Sequence, residues 1–206
     1  MTRPFSHVPR PLFLFSHHSP LVTFPMSRFS VIINRDTLRF SASHWVKYSP
    51  TVIEQDHDGS ISVRRENNTL VEPLHGHTFR VKLEITGTPD EFGCVVDFVL
   101  VEQIMVKILH QYEHKILIPV NDSDLILRDN GSQVTIGVLN SVWEFPAKDV
   151  KLLPAKNAST ESIAAVILAE FVAVMQKNNI LPPPFSDDQF VLTLEEDSGM
   201  YARVAI

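Results

Sequence analysis

The sequence predicts an α+β domain in which an antiparallel sheet is covered on one face by two helices. Three observations carry this. The stretch from His77 to Thr86 alternates strictly: Phe79, Val81, Leu83 and Ile85 fall on one side, and Arg80, Lys82 and Glu84 on the other. That is the pattern of a half-buried antiparallel strand. Two later stretches carry apolar residues at spacings of three and four, as amphipathic helices do. The order along the chain is strand, strand, helix, helix, strand, strand, which segregates helices to one face of an antiparallel sheet.

Each element has its own signal. Five of the 14 prolines fall before residue 26, and proline at that density removes amide donors and forbids regular helix. Residues 1–26 therefore read as an unstructured extension, with Met26 as an alternative start, and residues 27–206 as one folded domain. Extended structure is expected over residues 28–46, where Phe29, Val31 and Ile33, then Leu38, Phe40 and Ala42, alternate with polar or small neighbours. Residues 49–68 are polar, with an Asp58-Gly59 turn between two short β-prone runs. After the His77 strand, Gly87-Thr-Pro-Asp and Phe92-Gly93 make a connection, and Cys94-Val-Val reads as another short strand. Asp97 caps the first helix, whose stripe is Phe98, Val101, Ile104, Met105, Ile108, Leu109 and Tyr112 and whose end falls near Glu113-His114. Gln133–Val138 and Ser141–Phe145 suggest a hairpin around Leu139-Asn140. Ser159 or Thr160 caps the second helix, with Glu161 in its first turn. Phe190, Leu192 and Leu194 form a strand, and Tyr201 to Ile206 returns after a turn at Asp197-Ser-Gly.

Composition narrows the function. Eighteen basic against 24 acidic residues give a net charge of −6, which argues against nucleic acid as a partner. No run of 18 apolar residues is present, so no membrane-spanning helix is expected. A single cysteine, Cys94, excludes an internal disulfide and a cysteine-based zinc cluster. Any metal must then be held by histidines and carboxylates, and the chain has nine histidines. His7, His17 and His18 lie in the extension, and His57 and His110 read as surface residues.

The sharpest motif is His75-Gly76-His77. Side chains two apart on a strand share a face, so two imidazoles can close on one ion, and Gly76 permits close approach. His44, at the end of the first long strand, is the best third ligand. Three neutral imidazoles on Zn2+ leave an open fourth position, which marks a catalytic site.

The full set of motifs is Phe40-x-Ala42-x-His44, His-Gly-His opening a strand, Val96-Asp97-Phe98 opening a helix, Glu113-His114-Lys115, a Ser/Thr-x-Glu helix start, and a strand ending in glutamate. In that order it resembles the 6-pyruvoyltetrahydropterin synthase family, which includes 6-carboxytetrahydropterin synthase. The resemblance runs from Phe29 to Tyr201. It implies a tunnelling fold, in which subunits close a β-barrel as homotrimers that stack into homohexamers, with active sites at subunit interfaces. It also implies a cytoplasmic enzyme with zinc on His44, His75 and His77. Glu196 would anchor a pterin ring, because it shares the phase of Phe190, Leu192 and Leu194; Glu195 points the other way and ranks second. Ser159 and Thr160 match positions lining the pterin pocket.

The sequence departs from the family at two points. Members with a cysteine base carry it just before His-Gly-His, where this chain has Thr69 and Val71. Cys94 matches a hydrophobic position and reads as a small core residue. Glu72, three residues before His75, resembles the family class in which glutamate replaces that cysteine. Members of that class cleave the side chain of a dihydroneopterin compound to 6-hydroxymethyl-7,8-dihydropterin, a folate precursor. The family's Asp-His pair is here Glu113-His114. The expected activity is therefore a zinc-dependent pterin side-chain lyase. The alternatives are 6-carboxy- or 6-pyruvoyltetrahydropterin synthesis, or pterin binding without catalysis.

Overall fold

A computed structural model describes residues 28–180 and 189–206 of the chain. The extension expected over residues 1–26 lies outside the described residues. The first elements among the described residues are β1 (Phe29–Ile33) and β2 (Arg39–His44), then β3 (Lys47–Tyr48), β4 (Thr51–Gln55), β5 (Ile61–Arg65) and β6 (Leu70–Val71). The long central strand β7 (His75–Gly87) leads to α1 (Phe98–Leu109), β8 (Lys115–Pro119), β9 (Leu125–Asp129), β10 (Gln133–Val138), β11 (Ser141–Pro146) and β12 (Val150–Leu153). Helix α2 (Thr160–Lys177) and strands β13 (Phe190–Asp197) and β14 (Met200–Ala205) complete it.

The main sheet has seven strands in the order β12-β8-β2-β7-β13-β14, with β1 beside the far half of β7. Its centre is antiparallel, as the alternation requires: Phe40 lies opposite Phe79, and Leu192 opposite Leu83. The expectation of a purely antiparallel sheet is corrected at one edge. There β8 runs parallel to both β2 and β12. These strands are short and largely buried, so Lys115-Ile-Leu-Ile-Pro has no polar alternation to read. The crossover between β8 and β12 carries a separate three-stranded sheet, β11-β10-β9. Its β10–β11 hairpin has the expected register, with Val138 opposite Ser141.

The core is the helix-facing side of the main sheet. Phe79, Leu83, Ile85, Leu192 and Leu194 are fully buried with Met105, Ile163, Ile167 and Phe171 from the helices. Burying one such side chain contributes roughly 1.5–3 kcal/mol. A satellite cluster around Trp45, Ile118 and Ile136 sits under the small sheet, with Trp45 stacked on Trp143 at 5.0 Å.

A side-chain cap explains where α1 begins. Asp97 accepts hydrogen bonds from the Val99 and Leu100 amides at 2.8 and 3.2 Å. Three readings around α1 need correction. Residues 94–96 form no strand, because Asp90 folds them into a turn by accepting from the Phe92 and Cys94 amides. Cys94 is exposed and is no core residue. The helix ends at Leu109, and Phe98 is 54% exposed, outside the apolar stripe. Tyr112, past the helix end, is still fully buried and donates its hydroxyl to Glu170 at 3.0 Å. Burial and that carboxylate push its phenol well above the ordinary range.

Candidate metal centre

The three histidines meet because of strand register. β2 and β7 are antiparallel with His44 directly opposite His75 and Ala42 opposite His77. Directly paired residues share a face, so all three imidazoles emerge on the core side, in phase with Phe40 and Phe79. Their ring centroids lie 4.7 to 5.4 Å apart. One nitrogen from each lies within 4.8 Å of the other two, a spacing that lets them converge on one ion. Gly76 between them sits close to β2: a Cβ there would lie 3.3 Å from Ser43 Oγ and 3.4 Å from the Ala42 carbonyl, a tight but not closed approach.

Hydrogen bonds fix which nitrogen faces inward. His44 Nδ1 donates to the Ala158 carbonyl at 2.7 Å, and His75 Nδ1 donates to the Pro73 carbonyl at 2.8 Å. Their Nε2 atoms are then left with lone pairs, the tautomer a metal ligand needs. His44 is fully buried, and its Nε2 has no hydrogen-bond partner. It faces Glu196 Oε1 at 3.0 Å, and His77 Nε2 stands 3.9 Å from the same oxygen. Protonation of His44 would relieve this contact between two acceptors. However, burial pushes its imidazole below the ordinary value, and the neighbouring imidazoles add to that. The Ala158 carbonyl and Glu196 oppose it without prevailing. A buried acceptor facing a carboxylate is costly, and a cation between the imidazoles resolves it. The donor set therefore fits a divalent metal.

Glu196 arrives from β13 on the predicted face. Thr160, at the first turn of α2, donates to its Oε2 at 2.7 Å. Ser159 occupies the N-cap position without a side-chain capping bond, and its hydroxyl contacts Ser162 at 3.3 Å. Glu195 points to the opposite face, where it lies 4.0 Å from Arg80. Glu72 sits half-buried between β6 and β7, its amide donating to the Val46 carbonyl at 3.0 Å.

The Glu113–His114 pair is formed but stands apart from the triad. Glu113 Oε1 lies 3.1 Å from His114 Nε2, while its Oε2 accepts from the Ser41 amide at 2.9 Å. His114 is in the left-handed region with φ of 56°, and its side chain is 82% exposed. It lines a cleft of about 590 Å3 with Ser41, Ser43, Gly76, Thr78 and the edge of His77. Ser41 and Thr78 alternate with Ala42 and His77, so this cleft opens on the outer face of the strands that carry the triad on their inner face.

An α+β sheet whose core face ends in three convergent imidazoles beside a part-buried carboxylate defines a class: a domain with a histidine cluster that could hold a metal ion. Within that class, the sequence profile of 6-pyruvoyl tetrahydropterin synthase matches residues 33–181, more than two thirds of the chain. The chain belongs to the 6-pyruvoyl tetrahydropterin synthase family. Relatives named as candidate 6-carboxy-5,6,7,8-tetrahydropterin synthases include one from Methanocaldococcus jannaschii, 26% identical over 106 residues, or 51% of this chain and 64% of that protein. One from Pyrococcus abyssi is 29% identical over 110 residues, 53% of this chain and 65% of that protein. The matches thus span just under two thirds of these relatives. The fold is that of the Plasmodium vivax 6-pyruvoyl tetrahydropterin synthase, with a TM-score of 0.68 at 21% identity over 87% of this chain and 98% of that one. The Plasmodium falciparum enzyme gives 0.68 at 22% over the same shares. Two further P. vivax structures carry a catalytic glutamate replaced by cysteine or by alanine.

Proposed function

We propose that this protein is a zinc-dependent lyase acting on the C6 side chain of 7,8-dihydroneopterin or its triphosphate. The observation behind this reading is the histidine triad, whose buried His44 has an Nε2 without a hydrogen-bond partner that faces Glu196. His44, His75 and His77 would hold the zinc, which supplies Lewis acidity toward the side-chain hydroxyls. Glu196 accepts from the pterin's 2-amino and N3 groups, a two-point contact that orients the ring. Thr160 keeps that carboxylate aimed, and Ser159 lines the same end of α2.

The residue at position 72 favours carbon–carbon cleavage to 6-hydroxymethyl-7,8-dihydropterin. Thr69 and Val71 offer no thiol, and Cys94 lies beyond the opposite end of β7. The Glu72 carboxylate takes the proton of the C2′ hydroxyl, C2′ becomes the aldehyde carbon of a two-carbon fragment, and the C1′–C2′ bond breaks. The electron pair left on C1′ delocalises into the N5=C6 bond of the ring, and C1′ is then reprotonated. His114, oriented by Glu113, is the proton carrier. Because this pair lies on the outer face, a neighbouring subunit brings it to the triad, and the edge strand β14 is a surface through which a homotrimer or homohexamer can close. A glutamate described as catalytic in the P. vivax structures is consistent with this chemistry.

The names of the curated relatives favour a second reading, synthesis of the 6-carboxy compound, and the family name favours the 6-pyruvoyl one. Chromatography of products from 7,8-dihydroneopterin and its triphosphate separates these outcomes. The glutamate chemistry predicts 6-hydroxymethyl-7,8-dihydropterin from the wild type, and zinc retained without turnover in Glu72→Ala. A carboxy or pyruvoyl pterin as main product establishes the second reading. Full rate in Glu72→Ala removes Glu72 from the mechanism.

A further inference from the structure

Residues outside the motif set hold the site together. Asn157, in the loop before α2, uses one carboxamide as a substitute strand partner. Its Oδ1 accepts from the Lys47 amide at 3.0 Å, and its Nδ2 donates to the Lys47 carbonyl at 2.9 Å. The same Oδ1 accepts from the Ala158 amide at 3.1 Å. Lys47 is three residues beyond His44, and Ala158 carries the carbonyl that receives the His44 Nδ1 proton at 2.7 Å. One side chain thus ties the strand bearing the buried histidine to the carbonyl that selects its tautomer. Two residues on, the same loop delivers Thr160 to Glu196.

We infer that Asn157 is a positioning residue for the metal centre: its carboxamide clamps the start of β3, three residues beyond His44, to the loop that carries the Ala158 carbonyl, and so presets His44 Nε2 as a ligand. This rests on reading the triad as a metal site. Only a carboxamide serves, because the clamp needs a donor and an acceptor on one planar group. Aspartate has the same size but no donor, and it would set a carboxylate against the Lys47 carbonyl. Groups that orient a metal-bound imidazole typically govern metal affinity by about 10–100-fold.

The Lys47 side chain supplies a control. Its ammonium pairs with Asp122 and, at 2.8 Å, with Asp124. Those bonds anchor the same segment, but the clamp uses only the Lys47 backbone. Lys47→Met therefore destabilises the region without touching the clamp. The experiment titrates the metal-free full chain with Co2+ against a competing chelator, following the visible absorption bands, and records thermal melts in parallel. Wild type, Asn157→Asp, Asn157→Ser, Lys47→Met and His44→Ala are compared. The expected result is a 10–100-fold weaker Co2+ affinity and altered bands in both Asn157 variants, with one ion still bound at saturation. Lys47→Met should keep wild-type affinity despite a lower Tm. Wild-type affinity in Asn157→Asp overturns the positioning role. So does a loss of affinity in Lys47→Met as large as in Asn157→Asp, since affinity would then follow general stability. If the wild type and His44→Ala bind Co2+ equally, the metal reading itself fails, a different outcome from failure of the clamp.

Discussion

The two faces of the main sheet meet histidines under opposite conditions, His44 at the end of β2 and His114 in the turn before β8. On the inner face, His44 is fully buried, its Nδ1 is committed to a carbonyl and its Nε2 has no hydrogen-bond partner. On the outer face, the His114 side chain is 82% exposed and paired with Glu113 at 3.1 Å. A buried polar atom without a partner costs about 1–3 kcal/mol, whereas an exposed one is satisfied by water. The inner histidine is therefore a group held ready for a ligand from outside the chain. The outer one is solvent-exposed, and its backbone, with φ of 56°, is held by the His114 amide donating to the Ser41 carbonyl at 2.7 Å.

Substitutions should separate the two faces. The largest effect is expected at His44: His44→Ala should abolish stoichiometric metal binding, read by elemental analysis after gel filtration, because a three-ligand site cannot spare one. His114→Ala should leave metal content unchanged and lower turnover by about 10²-fold or more, the usual scale for loss of a proton-transfer group. Metal loss in His114→Ala would contradict the separation of the outer pair from the metal ligands. Glu196→Gln should weaken pterin binding by about 1–3 kcal/mol, because an amide donor then faces the donors of the ring. Calorimetry would detect that, and an equal loss in Glu195→Gln would assign the ring to the other strand face.

The smallest effect concerns pH. Burial by itself would lower the Lys47 ammonium, but its hydrogen bonds to the Asp122 and Asp124 carboxylates, with their charge, outweigh it and hold it above its ordinary value of 10.5. A raised pKa in the fold means the pair stabilises fully below the unfolded value and is lost as pH rises through the folded one. The difference in stability between wild type and Lys47→Met should thus be constant near neutrality and shrink above about pH 10.5. A difference that grows with alkalinity would contradict the pairing.

What could be read from the sequence follows from how each group advertises itself. His75 and His77 stand two apart on a strongly alternating strand, so side-chain periodicity places both on one face. His44 as the third partner rests on its strand end and the expected strand pairing, and Glu196 on the family resemblance, with strand phase ranking it above Glu195. The carbonyls of Ala158 and Pro73, which select the tautomers, have no side-chain signature, and the Asn157 clamp depends on a contact 110 residues away in sequence. The direction of β8 is not legible because its buried apolar run lacks alternation, and β12, four residues with one exposed leucine and a lysine, is too short to show a period. Cys94 looked like a small core residue beside Val95 and Val96, but the Asp90 turn carries it to the surface. Glu113-His114 was legible as a pair, while its separation from the triad is a property of strand faces that only the β2–β8 register reveals.

The central claim is that the inner-face histidines form one metal site. Zinc analysis together with X-ray absorption on the purified full chain tests it most directly, using the wild type and the His75→Ala/His77→Ala double variant. The expected result is about one zinc per chain with three imidazole nitrogens at roughly 2.0–2.1 Å in the wild type, and none in the double variant. Full zinc occupancy in the double variant, or a wild type that binds no divalent metal when reconstituted, would contradict it.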